Sequence, residues 1–325
     1  MQRTLFISLA LAVIGLPCVV RAQSPALIST WNTAGAYALA RPWHLGFDAA
    51  GNVYVTDLAE HRVFAFAPDG SPILSWNCPV LAPLDFDPQV IAISAQGTAY
   101  VTTPGAQGPE RFLLAAYTTS GGFVGPLGSV GSGPGEFGRP VDVAVDHDGN
   151  LYLADNAYMR IVVLSSTGDY VTQWGSYGGG PGQLTSPIAI AVSPSGLVYV
   201  ADDVSQRIQV FTTTGAFVTQ WGSYGSGAGE LAGPWGIAFD AGGNVYVADA
   251  ANHRIQVFTG SGQFLAQWGS YGSGPGQFNK PKGVGVGPDG RIYVTDTWNR
   301  RIQVFAALPT NSKTSSWGAI KARGR

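Results

Sequence analysis

The sequence is short of charge, of cysteine and of any segment long enough to build a helix. Only 12% of its 325 residues are charged, while 45% are hydrophobic. That balance supports a buried core and excludes a disordered, charge-solvated chain. Two cysteines occur. Cys18 falls in an expected leader peptide, so Cys78 is left without a partner for an intrachain disulfide and reads as a small buried hydrophobe. No Asn-x-Ser/Thr sequon is present. A chain lacking both features fits a bacterial exported protein better than a eukaryotic one. Neither a Gly-x-Ser-x-Gly elbow nor a Ser/His/Asp set appears, which removes the common routes to an activated serine. A basic surplus is missing too. Residues 23–305 hold 12 Lys and Arg against 20 Asp and Glu, a formal −8. Such a body gains nothing from releasing phosphate counterions, so nucleic acid is not an expected partner.

At the N-terminus, Arg3 precedes an apolar run over residues 5–16, and Val20-Arg21-Ala22 offers small residues for cleavage after Ala22. This pattern predicts a signal peptide over 1–22 and a secreted protein, extracellular or periplasmic. The run is shorter than the about 20 apolar residues of a membrane span, and Gly15 and Pro17 interrupt it. A lipid anchor at Cys18 is the rival reading, and Pro17 just before it fits that poorly. The expected domains are the leader, a folded body over 23–305 and a tail over 306–325. The tail carries four basic residues and no acidic one.

What the chain has in quantity is glycine, 45 residues, and aromatic side chains, 11%. Their spacing is regular. Trp174, Trp221 and Trp268 stand 47 residues apart, with Leu127 one interval earlier. A fixed period of this length signals stacked or radial repeats. Each repeat holds four short β-branched or aromatic segments, such as 236–239, 244–248, 254–258 and 264–268. Gly-bearing turns separate them, as expected of hairpins. With no crossover helix between them, the strands must pair antiparallel. Val245-Tyr246-Val247 is apolar on both faces of its strand, so each small sheet must be covered on both sides. Radially repeated four-stranded sheets meet that demand, which predicts an all-β fold, a β-propeller.

Counting second strands gives six blades, at residues 53–55, 99–101, 151–153, 198–200, 245–247 and 292–294. The last blade lacks a fourth strand after Phe305. Leu27-Ile28-Ser29-Thr30-Trp31 is expected to supply it and close the ring; residues 313–317 are a competing choice. The pattern Pro-x-Gly-Ile-Ala-x-Asp, Gly-Asn-Val-Tyr-Val-Ala-Asp, Asn-His-Arg-Ile-Gln-Val-Phe over residues 234–258 closely resembles the NHL repeat. The resemblance spans about residues 27–305 and implies a six-bladed propeller. Repeat two departs from it: Thr103 replaces the repeat aspartate, and residues 104–110 push Arg111 out of phase.

Among NHL-like propellers, the peptidyl-hydroxyglycine amidating lyases hold zinc with three channel histidines, assisted by an arginine and a tyrosine. This chain offers His44 at the channel, while His61, His147 and His253 fall elsewhere in the repeat, so three histidines are not expected to converge. The Asp-x4-Arg pairs Asp57/Arg62, Asp155/Arg160, Asp202/Arg207, Asp249/Arg254 and Asp296/Arg301 recur in five blades, which marks them as scaffold. The Gly-rich loops at 175–182, 222–229 and 269–276 lack the helix and Lys-Ser/Thr of a phosphate cradle. They read as blade connectors, with Tyr177, Tyr224 and Tyr271 either packing within them or forming a binding surface. The candidate site therefore lies in what does not repeat. The position two after each repeat proline is His44, Val90, Asp142, Ala189, Gly236 or Gly283, a ring at one mouth. Adding the odd aromatic and charged residues on that face gives Trp43, His44, Asp142, Tyr158, Trp235, Lys282, Trp298 and Arg300. The expected role is a binding module for a protein, peptide or glycan, monomeric, with no cofactor and no membrane span. The alternatives are a channel-metal lyase or hydrolase and a structural envelope component.

Overall fold

The structure is a computed structural model that describes residues 24–78, 88–103 and 113–308. The expected leader over 1–22, Arg111 with residues 104–110, the rival strand at 313–317 and the tail beyond Leu308 lie outside the described residues. Six four-stranded antiparallel sheets form the blades of a ring, and none of the described segments is a helix long and apolar enough to cross a membrane.

Each blade begins at the channel with an inner strand, as in Pro42–Phe47, Pro140–Val145 and Pro234–Phe239. The second strands, Val53–Asp57, Leu151–Asp155, Val245–Asp249 and Ile292–Asp296, are buried at every residue. Flanking blades cover both faces of each sheet, so the Val-Tyr-Val pattern tolerates no polar face. Fourth strands such as Tyr170–Trp174 run along the outside and are far more exposed.

Closure comes from the N-terminal strand. Leu27–Trp31 pairs antiparallel with Arg301–Phe305, with Trp31 opposite Ile302, and completes the sixth blade. Removing the free edge in this way also removes a template for aggregation. Trp31 then takes the place that Trp76, Trp174 and Trp221 hold in other blades. In each case a glycine in the outer hairpin of the next blade lies flat on the indole. Gly70 meets Trp31, Gly121 meets Trp76, Gly215 meets Trp174 and Gly262 meets Trp221, all with φ between 86° and 90°. A Cβ at any of them would stand 2.2–2.8 Å from the ring. Here glycine is required twice over, by backbone conformation and by contact.

The Asp-x4-Arg pairs sit opposite one another across the second and third strands. Four of them close, at 3.2 Å for Arg160–Asp155, 3.6 Å for Arg207–Asp202 and 2.7 Å for both Arg254–Asp249 and Arg301–Asp296. The aspartate accepts main-chain N–H groups of the loop entering its blade, as Asp202 does from Thr185 and Ser186. The arginine donates to carbonyls of the Gly-rich loop, as Arg254 does to Ser226, Gly227 and Glu230. Blade one differs. Asp57 is filled by the N–H groups of Ala40, Arg41, Ala59 and Glu60 and forms no ion pair with Arg62.

Candidate functional site

All six blades contribute to a cavity of about 230 Å³ at the loop-rich mouth. Trp43 and His44 come from blade one, and Gln89 and Val90 from blade two. Blade three supplies Arg139, Val141, Asp142 and Asn156; blade four supplies Ser186, Ile188 and Asp203. Trp235 and Lys282 complete the wall from blades five and six. Below it the channel is lined by inner-strand residues of every blade, and His44 belongs to both spaces.

Five of the eight residues singled out from the sequence thus meet in one cavity: Trp43, His44, Asp142, Trp235 and Lys282. Trp298 is half exposed and joins them indirectly, because the Arg41 guanidinium lies 5.3 Å from its ring and 5.4 Å from that of Trp43. Lys282 Nζ lies 5.1 Å from the Trp43 ring centroid and 3.1 Å from that of Trp235. The result is a ladder, Trp298–Arg41–Trp43–Lys282–Trp235, in which three indoles alternate with two cations from the rim down into the cavity. Trp43 and Trp235 also meet edge to face, with centroids 5.2 Å apart. Tyr158 and Arg300 stand outside the cavity. Tyr158 covers the Arg160 guanidinium at 5.0 Å. Arg300 is exposed and left-handed, φ 56°, at the hairpin position that His61, Met159, Gln206 and His253 occupy in other blades. That shared geometry gives the repeat histidines a turn position away from the channel.

Burial sets the charge of the cavity. Loss of hydration pushes the Lys282 amine down to about 7; the Asp203 charge opposes this, and the Lys280 and Arg41 charges add to it. Asp203 itself is raised, first by burial and secondarily by Asp202, with Lys282 pulling the other way. The Asp142 carboxyl is driven up to about 8 by burial, although its oxygens accept N–H bonds from Val143 at 2.7 Å and Ile190 at 2.8 Å. Burial lowers His44 to about 4, against a main-chain bond to Ile91, so its ring is neutral at pH 7. Near neutral pH the Arg139 guanidinium and an only partly protonated Lys282 amine therefore share the cavity with Asp203. The mouth is locally positive in a chain whose body is acidic. Among the described residues, no three His, Cys, Asp or Glu side chains converge as a metal-ligand set.

Sequence reasoning passed over Arg41, Arg139, Asn156, Ser186 and Asp203. The rule of looking for odd residues would have found Asp203, since the position after the repeat aspartate otherwise holds Leu58, Asn156, Ala250 or Thr297. Tyr177, Tyr224 and Tyr271 are 69–78% exposed on the same face as the cavity. Each loop is closed instead by the buried Leu184, Leu231 or Phe278 three residues before the next repeat proline.

Six antiparallel blades around a channel, with loops from every blade converging on one cavity, define a six-bladed β-propeller with a ligand-sized mouth. The NHL repeat family model matches residues 184–211, 231–258 and 278–305, so three blades of this six-bladed propeller are NHL repeats. No curated protein matches it in sequence. Solved structures share its fold. A streptogramin B lyase is 16% identical, covering 85% of this chain and 96% of its own, with a TM-score of 0.60. The virginiamycin B lyase of Staphylococcus aureus is 14% identical, covering 86% and 99%, at 0.59. A gluconolactonase from Xanthomonas campestris is 17% identical, covering 89% and 99%, at 0.62.

Proposed function

We propose that this protein is an exported interaction module that docks a polypeptide on its loop-rich face and takes the partner's free carboxylate terminus into the mouth cavity. The observation that carries the reading is the Trp43–Lys282–Trp235 stack beside Arg139, a positive, indole-walled cavity in an acidic body. A carboxylate entering there meets two cations, and the adjoining side chain meets apolar indole surface. The exposed Tyr158, Tyr177, Tyr224, Tyr271 and Trp298 ring this face with the residue types that dominate binding energy at interfaces.

The test is a screen of peptides bearing random C-termini, followed by calorimetry on the best binders with free and amidated ends. Free-carboxylate peptides should bind at least about tenfold more tightly, the worth of one charge-assisted hydrogen bond. Lys282→Met and Trp235→Ala should each abolish that preference. Equal binding of amidated and free peptides, or selective binding of a glycan, would overturn the reading.

A further inference from the structure

Lys282 is placed unlike a surface lysine. Its amine lies on the face of Trp235, at 3.1 Å, with Trp43 on another side, and the half-buried side chain lines the cavity. Among the described residues it forms no ion pair. The charged groups that act on it are Asp203, Lys280 and Arg41. Loss of hydration in the cavity, joined by the Lys280 and Arg41 charges, outweighs the Asp203 carboxylate and the indole faces, and this is the environment that leaves part of an amine neutral and nucleophilic near pH 7. A carboxyl group, Asp203, lines the same space.

We propose that Lys282 is a carbonyl-capturing amine, forming an imine with a small aldehyde that carries a carboxylate. The inference rests on the carboxylate-binding reading of the mouth, because Arg139 would hold the carboxylate while the aldehyde carbon faces Lys282. In the addition step the amine lone pair forms the C–N bond and the carbonyl π pair moves onto oxygen. A proton passes from nitrogen to that oxygen to give the carbinolamine. Asp203 then supplies a proton to the departing hydroxyl, water leaves, and the nitrogen lone pair closes the C=N bond. Loss of the remaining N–H proton to Asp203 restores its carboxyl. The sum is one amine and one aldehyde giving one imine and one water. The capture consumes no oxidant or reductant.

The chain has four lysines, Lys280, Lys282, Lys313 and Lys321, so the reaction can be read by mapping adducts. Lys280, exposed and two residues away, is an internal reference. The full mature protein would be treated with glyoxylate and sodium cyanoborohydride at pH 7. The reductant delivers hydride to the imine carbon and fixes a carboxymethyl group on nitrogen. Labelling of Lys282 should exceed that of Lys280 by at least about tenfold, since an amine titrating near neutrality is about half free base at pH 7 where an ordinary lysine is almost wholly protonated. Lys282→Arg should lose the adduct at this position while leaving Lys280 labelling unchanged. Labelling of Lys280 equal to or above that of Lys282 would overturn the inference. If that happens while peptide binding persists, the imine chemistry fails alone. If peptides fail to bind while Lys282 is still selectively labelled, the docking reading fails alone and the nucleophile stands.

Discussion

Replacing Gly70 and Trp31, singly and together, measures how the ring is locked shut. Trp31 is 5% exposed and sits against Phe66 and Tyr293, at centroid distances of 5.7 and 5.5 Å. Truncation to alanine should cost roughly 3–5 kcal/mol. Gly70 has φ 90°, and an added Cβ would stand 2.5 Å from Trp31 Nε1. Gly70→Ala therefore carries a backbone penalty of roughly 1–2 kcal/mol and an overpacking penalty of roughly 1–3. With Trp31 removed the overpacking disappears and only the backbone penalty remains. The double-mutant cycle should then show a coupling of roughly 1–3 kcal/mol, read from urea unfolding midpoints at constant slope. Gly97→Ala is the control: its φ is 82° and nothing lies within 4 Å of its missing Cβ, so it should show the backbone penalty alone. Additive effects of the Gly70 and Trp31 substitutions would refute the claim that the N-terminal strand is locked to the first blade by this contact.

Arg254→Met should destabilise by roughly 3–5 kcal/mol, because it strands the fully buried Asp249 and frees three loop carbonyls; an effect below about 1 kcal/mol in urea unfolding would count against a structural role. Asp142 has a folded pKa of about 8, above its ordinary 3.8, so the folded state binds more protons between those values and stability falls as pH rises through that window. The slope approaches about 1.4 kcal/mol per pH unit at most, and Asp142→Asn should flatten it in thermal melts from pH 5 to 8. Lys282 shifts the other way. With its folded pKa near 7 and the unfolded value at 10.5, its contribution rises with pH between the two. Affinity for a free carboxylate should accordingly weaken from pH 6 to pH 8, and calorimetry on the wild type and Lys282→Arg separates this amine from other titrating groups, because the guanidinium stays charged throughout.

The ring, the number of blades and the closing strand were all legible in the residues, because each follows from local pattern. A 47-residue period, strands apolar on both faces and a missing fourth strand leave few ways to bury the surface. The mouth was legible in part. His44 and Asp142 stood out against Gly or Ala at matching repeat positions, Trp43, Trp235 and Lys282 at a position with no shared residue type, and the fold brings all five to one cavity. Tyr158 and Arg300 share their face but not the cavity, since repeat position gives height and not the direction a side chain takes. The packing reading of the loop tyrosines fails for a related reason. A recurring aromatic looks like packing until the chain shows that Leu184, Leu231 and Phe278 already fill that space.

The sequence by itself determined the architecture, since hydrophobic period and turn chemistry act over a few residues and repeat six times. Only the tertiary structure decided the chemistry of the mouth. Arg41, Trp43, Asp203, Trp235, Lys282 and Trp298 are scattered over more than 250 positions, and ring closure brings them within reach of one another. Their charges depend on that closure as well. An amine pressed between indoles and a carboxyl sealed from water take protonation states that belong to the assembled cavity and not to the residue type.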